Sequence, residues 1–188
     1  MNQRNANLEL RNKLFMLLKE RAFRRGKVIL ASGRESDFYF DMKPAMLDPD
    51  GASLLAELVL QELRGVDAEC VGGIEMGAVP LIAPVAMKSL DHGRHLQGFF
   101  VRKAVKDHGT KKRVDGADIA GKSVVILEDV TTTGGSSMEA VKAVTEAGGR
   151  VVLVLSILDR GEGASDLYAA AGIPFKSLYR AEEFLAVA

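Results

Sequence analysis

The sequence predicts an α/β fold in which a mostly parallel, twisted sheet is flanked by helices. Short apolar runs, typical of strands buried on both faces, alternate along the chain with segments of helical periodicity. Polar or glycine-rich residues follow several of these runs, at the position where open α/β sheets bind their ligands. The chain has 188 residues, which suits one substantial core, so we expect a single domain over 1–188.

The composition argues against several classes of protein. The 25 basic and 25 acidic residues balance, so no net charge attracts nucleic acid or a membrane surface. The first residues are polar, and no apolar run approaches the length that spans a membrane. The one cysteine, Cys70, excludes an internal disulfide and suits a reducing compartment. We therefore expect a cytoplasmic protein with no nucleic-acid or membrane partner.

The N-terminal part of the chain predicts a helix and then a hairpin. Leucines at helical spacing predict the helix from about Asn5 to Arg25, and Gly26 would end it. Two β-prone runs then flank a turn at 32–34, which indicates a hairpin. The second run contains three aromatic residues in succession, Phe38, Tyr39 and Phe40. By themselves, such residues belong to a core more often than to a binding surface.

The next part of the chain predicts a helix, a strand and a second helix. Asp48 and Pro49 are a typical N-cap and first residue of a helix that would run to about Arg64. A strand is predicted at 68–74, and a glycine-rich turn at 72–80 would connect it to the second helix. Taken alone, a glycine-rich turn between a strand and a helix is common and indicates no particular function.

A dense basic run at 102–113 follows the strand predicted at 97–101. Such a run is usually a solvated loop, and a nucleic-acid contact is the second interpretation. It has no interleaved aromatic residues and the whole chain is neutral, which argues against nucleic acid. Mobile loops of this composition are more often lids than parts of a core.

The most informative stretch begins with the apolar run 124–127, which predicts a buried strand. The adjacent carboxylates of Glu128 and Asp129 follow it, and then a loop rich in threonine, glycine and serine at 130–136. Backbone N–H groups, hydroxyls and the positive end of a helix favour an anion, most simply a phosphate. No lysine follows the glycines, so the loop is not a P-loop. The carboxylates suit ligand hydroxyls, a shared Mg²⁺ ion or a developing cation.

The helix after this loop has predicted boundaries of its own. Ser136 and Glu139 fit a capping box at its start, and the glycines at 148–149 would end it. Four apolar residues would face the sheet: Ala140, Val141, Val144 and Ala147.

A second buried strand is predicted at 151–158, and Arg160 lies just beyond it. Parallel strands end at the same edge of a sheet, so Arg160 would face the same ligand as Asp129. Its guanidinium suits a carboxylate, although a surface pair with Asp159 is the simpler interpretation of this dipeptide alone. The rest of the chain predicts a helix, a short strand at 175–179 and a final helix from about Ala181.

The loop and its two acids closely resemble the phosphoribosyl pyrophosphate (PRPP) motif of the type I phosphoribosyltransferases. In that family the acids hold the ribose 2- and 3-hydroxyls, and the loop wraps the 5-phosphate. The resemblance implies a PRPP site formed by Glu128, Asp129, Val130, Thr131, Thr132, Thr133, Gly134, Gly135 and Ser136.

Three further motifs, in the expected order, are similar to those of the orotate phosphoribosyltransferases within this family. The hairpin resembles their N-terminal hood, which implies a hood built from 1–45 with part of the C-terminal stretch. The glycine-rich turn resembles their pyrophosphate loop, which implies backbone N–H contacts at Met76, Gly77 and Ala78. The basic run matches their catalytic loop, with Arg102, Lys103, Lys106, His108 and Gly109 at the same spacing.

The resemblance implies transfer of a ribose 5-phosphate group from PRPP to orotate, with Mg²⁺, in pyrimidine biosynthesis. The implied catalytic residues are Lys103, Lys106, His108 and Asp129, and Arg102 would also contact PRPP. The implied orotate contacts are Thr132, Arg160, Phe38 and Tyr39. Mg²⁺ would be held mainly through PRPP, with Asp129 as a candidate ligand.

Two features of the family raise further expectations. Its members are homodimers in which the catalytic loop reaches the neighbouring active site, so Lys103 and Asp129 of one site would come from different chains. Many relatives have a lysine where this chain has Ala31, and Lys43 is a candidate substitute. A purine-using type I enzyme and a PRPP-sensing regulator of nucleic acid remain as alternatives.

Overall fold

The computed structural model describes residues 3–29, 35–103 and 113–187. The expected turn at 32–34, Ala31 and the lid residues at 104–112, including Lys106 and His108, lie outside the described residues. In chain order the elements begin with α1 (Gln3–Arg21), β1 (Phe23–Ile29), β2 (Glu35–Phe40), α2 (Lys43–Met46), α3 (Pro49–Glu62), β3 (Cys70–Gly72) and α4 (Val79–Ser89). A 3₁₀ turn (Leu90–His92), β4 (Gln97–Val101), β5 (Val114–Gly116), β6 (Ser123–Thr131), α5 (Gly135–Glu146), β7 (Arg150–Asp159), α6 (Ala164–Ala170), β8 (Phe175–Arg180) and α7 (Ala181–Leu185) follow.

Six strands form the main sheet, in the order β5-β4-β3-β6-β7-β8. All neighbouring pairs are parallel except β4 and β5, which are antiparallel. The mostly parallel sheet flanked by helices confirms the predicted fold class. The sequence did not predict β5, a strand of three residues that follows the basic run. The basic run therefore connects two paired antiparallel strands, β4 and β5.

The central strand β6 divides the core into two layers. Val125 and Leu127 point into the layer that contains α1, α3 and α4, whereas Val124 and Ile126 point into the layer that contains α5 and α6. All four side chains are completely buried. Successive residues of a strand face opposite sides of the sheet, so an uninterrupted apolar run is what a strand covered on both faces requires.

The first helix is shorter than the sequence predicted, because α1 ends at Arg21. Residues up to Ile29 instead form β1, which pairs with β2 in the predicted hairpin. Packing of Phe23 favours the strand: its side chain is buried, and its ring lies 5.1 Å from that of Phe40 and 6.1 Å from that of Phe184. Gly26 lies inside the strand, with φ of 143°, where the register shifts.

Helix α3 begins as predicted, whereas α5 does not. The side chain of Asp48 accepts hydrogen bonds from the backbone of Asp50 and Gly51, with Pro49 in the first turn. At α5 the expected capping box is absent, because Gly134 with a left-handed backbone precedes the helix and no side chain caps it.

The other residues of α5 agree only partly with the prediction. Glu139 forms an ion pair with Arg113 at 3.3 Å instead of capping the helix. Ala147 is exposed, and Ala143 occupies the core in its place. The helix ends before Gly148, which is left-handed, as predicted.

Leu155 gives a test of the core that is independent of the site. It is 1% exposed on β7, and Leu155→Ala should lower the free energy of unfolding by about 2–5 kcal/mol, since it leaves a cavity. Leu8→Ala is the matched control, because Leu8 is 58% exposed and its loss should change stability by less than about 0.5 kcal/mol. Urea unfolding curves measure both variants. Equal losses would show that the sheet is not covered as described.

Candidate active site

Three neighbouring parallel strands, β3, β6 and β7, bring the glycine-rich turn, the two acids and Arg160 to one edge of the sheet. β6 is longer than predicted: it continues through Glu128 and Asp129 to Thr131, because β7 pairs with it up to Asp159. Just beyond, the backbone N–H of Arg160 donates to the carbonyl of Thr131 at 2.9 Å. The two acids therefore lie on a paired strand and not on a free loop.

The glycine-rich turn after β3 lies directly against this strand. A Cβ atom at Gly77 would lie 2.7 Å from Oδ1 of Asp129, and one at Gly73 would lie 2.2 Å from the carbonyl oxygen of Leu127. Only glycine permits such a close approach. The expected pyrophosphate loop and the expected ribose acids therefore form one site. Of the three expected backbone donors, Ala78 is already engaged, since its N–H donates to the carbonyl of Ile74.

The carboxyl group of Glu128 is only partly accessible and is surrounded by protein atoms. Burial raises its pKa from 4.5 to about 7, and the nearby charge of Asp129 acts in the same direction. The hydroxyl of Ser137 donates to its Oε2, and this hydrogen bond and the charge of Lys103 oppose the increase. Glu128 is therefore held in place by α5 and can change its protonation near neutral pH.

Asp129 lies beside a cation on a different element. Burial raises the pKa of Asp129, whereas the N–H of Val130, at 2.9 Å, and the charge of Lys43 lower it. Lys43 itself binds Oδ1 of Asp41 at 2.6 Å, and its own pKa is raised mainly by that hydrogen bond. The lysine that the sequence indicated as a substitute for the one missing at Ala31 thus acts electrostatically on Asp129.

The loop at 130–136 presents some of its residues to solvent and buries others. Thr133, Gly135 and Ser136 are exposed, and Thr132 is half-buried. The side chain of Thr131 is buried, as is that of Tyr168 on α6 below it. Within the described part of the chain, no hydrogen bond of normal geometry reaches either hydroxyl, although Ser137 and Thr131 lie close enough to Tyr168 to oppose the increase of its pKa by burial. A Cβ atom at Gly134 would lie 3.1 Å from the Tyr168 hydroxyl, so the loop rests closely on α6.

The described end of the basic run has two differently placed cations. Arg102 binds Asp115 of β5 through Nε at 2.9 Å and Nη2 at 2.6 Å, which attaches it to the edge of the sheet. Lys103 is exposed, and its backbone N–H donates to Glu75 of the glycine-rich turn at 3.2 Å. Because its charge also reaches Glu128, Lys103 lies near the acids of its own chain. This placement favours a role for Lys103 at the site of its own chain, and its expected reach to a neighbouring subunit stays a prediction.

The expected orotate residues are only partly brought together. The guanidinium of Arg160 stacks on the ring of Phe38, with 4.4 Å between Cζ and the ring centroid. Tyr39 is 37% exposed and, as the next residue of β2, faces the other side of the strand. Phe38 therefore borders Arg160 and Tyr39 does not. The surface pair of Arg160 with Asp159 is also absent, since the acid partner of Arg160 is Glu162 at 2.8 Å.

Sequence reasoning missed several residues that shape the site. They are Ser36, Ser137, Glu162 and Tyr168. The Arg-x-Glu spacing at 160–162 was a usable signal for Glu162. No pattern distinguishes the two serines or Tyr168, because their roles depend on elements that are far apart in the chain.

Neither a metal cluster nor a membrane helix is found in the described ranges. No group of three or more histidine, cysteine, aspartate or glutamate side chains within 3–29, 35–103 and 113–187 could hold a metal ion. No helix in the same ranges is both long and apolar enough to cross a membrane.

Comparison with known proteins agrees on one family. A family model for the phosphoribosyl transferase domain matches residues 50–177. An orotate phosphoribosyltransferase from Bradyrhizobium diazoefficiens is 54% identical over 179 residues, which cover 93% of this chain and 96% of that protein. One from Streptomyces avermitilis is 42% identical over 176 residues, which cover 93% of this chain and 97% of that protein.

Solved structures give the same result. Orotate phosphoribosyltransferase of Mycobacterium tuberculosis H37Rv, in complex with Fe(III) dicitrate, is similar with a TM-score of 0.82 and 33% identity, covering 93% of this chain and 98% of that one. The structure of the same enzyme in complex with PRPP is similar with a TM-score of 0.76 and 26% identity, covering 94% and 92%.

The raised pKa of Glu128 predicts a pH-dependent gain from its replacement. The folded state holds this proton up to about pH 7 and the unfolded chain only to about 4.5, so the wild type loses stability as the pH rises through that range. Glu128→Gln should therefore become more stable than the wild type, by on the order of 2–3 kcal/mol at about pH 8, with little difference at about pH 4.

Chemical denaturation across this pH range measures the effect. Glu139→Gln, at an exposed carboxyl on α5, is the control and should change stability by less than about 0.5 kcal/mol. A Glu128→Gln variant with no gain at high pH would contradict the described burial.

Proposed function

The chain belongs to the phosphoribosyl transferase family, and within it to the orotate phosphoribosyltransferases; from this premise we propose which of its residues perform each part of the reaction. The enzyme transfers the ribose 5-phosphate group of PRPP to orotate, which yields orotidine 5-monophosphate and pyrophosphate in pyrimidine biosynthesis. The observation that carries the assignment of roles is the convergence of Gly77, Asp129 and Arg160 at one sheet edge. No observation favours a purine base or a nucleic-acid partner.

The PRPP half of the site is assigned to the end of β6 and the two turns beside it. The exposed loop residues Thr133, Gly135 and Ser136 receive the 5-phosphate, where N–H groups at the start of α5 point outwards. Glu128 and Asp129 accept the ribose hydroxyls. Met76 and Gly77 lie beside Asp129, at the position where pyrophosphate would leave. Val130, Thr131 and Gly134 shape this loop from below rather than through exposed side chains.

Charge develops in two places when the bond from ribose C1 to pyrophosphate breaks. The ring becomes positive, and the carboxylates of Glu128 and Asp129 are close enough to the ribose to stabilise it. The leaving group gains negative charge, and Lys103, whose backbone N–H binds Glu75 of the glycine-rich turn, is a described cation on that side. Lys106 and His108 of the lid, with Arg102 just before it, would add positive charge, and the lid would exclude water, which could otherwise attack C1. The positive charge of Lys43 partly compensates the negative charge of Asp129 in the free enzyme.

Mg²⁺ is the proposed cofactor, and the side chains present fit an ion carried mainly by the substrate. Magnesium is usually bound through one or two carboxylates together with phosphate oxygens. Asp129 and Glu128 are such carboxylates, while the described residues supply no larger ligand cluster. When bound with PRPP, the ion supplies charge neutralisation for the departing pyrophosphate.

The orotate half of the site is assigned to Arg160, Phe38 and Thr132. The guanidinium has the planar donors that bind a carboxylate, and Phe38 borders it. β2 brings Phe38 over the core from the proposed hood of 1–45, which also packs on α7 through Phe184. Tyr39, on the outer face of β2, is better placed to contact a neighbouring molecule than this base. A cytoplasmic location fits the single, buried, reduced Cys70.

Arg160→Ala is expected to weaken orotate binding selectively. Loss of a charged hydrogen-bond donor should raise KM for orotate about tenfold or more, with KM for PRPP nearly unchanged. Arg180→Ala is the control, because Arg180 is an exposed arginine at the end of β8. Steady-state kinetics with each substrate varied in turn measure the effect. A rise in KM for PRPP alone would place Arg160 in the phosphate half of the site.

A homodimer in which the lid crosses the interface predicts complementation between inactive chains. His108→Ala and Asp129→Asn should restore each other, because a mixed dimer gathers both lesions in one site and leaves the other intact. Half of randomly paired dimers are mixed and each has one good site, so about a quarter of wild-type activity should return.

The same experiment with Lys103→Ala and Asp129→Asn is the matched control. Lys103 lies beside the acids of its own chain, so every site in that mixed dimer would contain a lesion. Activity after the variants are unfolded and refolded together, against each refolded alone, is the measurement. Recovery in the Lys103 pair and not in the His108 pair would reverse the assignment of the two residues.

A further inference from the structure

The guanidinium of Arg160 is held on three sides. Its Nε donates to Oε1 of Glu162 at 2.8 Å, and its Nη2 donates to Oγ of Ser36 at 3.1 Å. The third contact is the ring of Phe38, 4.4 Å from Cζ. The side chain of Arg160 is only 4% exposed and that of Glu162 is 20% exposed. A long, flexible side chain is therefore confined to one position.

The contacts come from two separate parts of the fold. Glu162 lies in the turn that follows β7, whereas Ser36 and Phe38 belong to β2 of the hairpin. The hydroxyl of Ser36 is itself oriented, because it donates to the carbonyl of Phe38 at 2.8 Å. Its one proton is used there, so its oxygen is left to accept from Arg160.

The two hydrogen bonds come from Nε and Nη2 of the planar guanidinium. Nε and Nη2 point along one side of the group, and Nη1 with the second hydrogen of Nη2 points along the adjoining edge. Among the residues described, none accepts a hydrogen bond from Nη1. A carboxylate can bind two parallel N–H groups, and the Nη1–Nη2 edge offers such a pair.

We propose that Glu162 and Ser36 are positioning residues that determine specificity for orotate. They hold Arg160 so that its Nη1–Nη2 edge receives the carboxylate of the pyrimidine. This inference rests on the orotate-binding role proposed for Arg160. Without Glu162, a nearly buried guanidinium would lack its counter-ion and would turn towards water or another acid.

The sign of the effect distinguishes positioning from simple charge repulsion. Glu162 is negative and so is the substrate carboxylate. If repulsion dominated, removal of Glu162 would strengthen binding of the carboxylate. If positioning dominates, as we propose, the same change weakens it.

Binding of the two nucleotides that differ only by this carboxylate isolates the effect. Titration calorimetry with the full-length protein gives Kd for orotidine 5-monophosphate and for uridine 5-monophosphate. We expect the preference for the carboxylated nucleotide to fall about tenfold in Glu162→Ala. Glu162→Gln keeps the length and an acceptor oxygen, so its preference should lie between those of Glu162→Ala and the wild type. Ser36→Ala should lower the preference by a smaller factor.

The chain supplies a matched control at the end of β8. Glu182 pairs with Nε of Arg180 at 3.4 Å with the same Arg-x-Glu spacing, but both side chains are more than half exposed. Glu182→Ala should leave the preference unchanged. An unchanged or increased preference in folded Glu162→Ala would overturn the proposal, and thermal melting verifies folding. If Glu162→Ala does not fold, an unchanged preference in Glu162→Gln together with Ser36→Ala overturns it.

Arg160→Ala distinguishes the positioning role of Glu162 and Ser36 from the orotate-binding role of Arg160. If Arg160→Ala keeps the full preference, the orotate-binding role of Arg160 itself fails. If Arg160→Ala loses the preference and Glu162→Ala does not, only the positioning role fails. In the double variant, Glu162→Ala should have no further effect on the preference, because its influence passes through Arg160.

Discussion

The pairing of β6 with β7 up to Thr131 and Asp159 is the interaction on which the site depends. It holds Glu128 and Asp129 on a rigid strand, and the next residue of the second strand, Arg160, is bound to Thr131 through its backbone. In a loop, the two carboxyls and Arg160 could separate. The backbone hydrogen bonds between β6 and β7 keep their spacing within the tolerance that catalysis needs. The loop proposed to bind phosphate and the arginine proposed to bind the base thus depend on the same pair of strands.

Burial of like charges is the main cost of this arrangement. Two adjacent carboxyls are withdrawn from water at the end of β6, and burial raises the pKa of each. The protein offsets this with Ser137 at Glu128, with the N–H of Val130 at Asp129, and with the cations Lys43 and Lys103. In the proposed reaction, ligand hydroxyls and a ring that becomes positive would complete the compensation, so the site would favour the reacting state over the empty one.

The second constraint is the contact between the hairpin and the core. Phe23 and Phe40 pack on Phe184 of α7, which fixes the hairpin above the sheet. From there β2 places Phe38 and Ser36 against Arg160. Residues from distant parts of the chain therefore meet around Arg160, the side chain proposed to recognise the base. Under that proposal, recognition depends on how the hairpin packs on the core.

Local patterns determined most of the architecture. Apolar runs predicted the strands, and Asp48 with Pro49 predicted the start of α3. The acid–threonine–glycine motif with Arg160 indicated the site. Each of these signals depends only on residues that are neighbours in sequence. Only tertiary structure decided the rest. Packing of Phe23 ended α1 early, and pairing with β7 lengthened β6. Glu139 paired with Arg113 in place of the predicted capping box, and Ser137 bound Glu128. Contacts between distant segments outweigh local propensity when they bury aromatic rings or pair backbone groups. Such contacts cannot be predicted from residues that are neighbours in sequence.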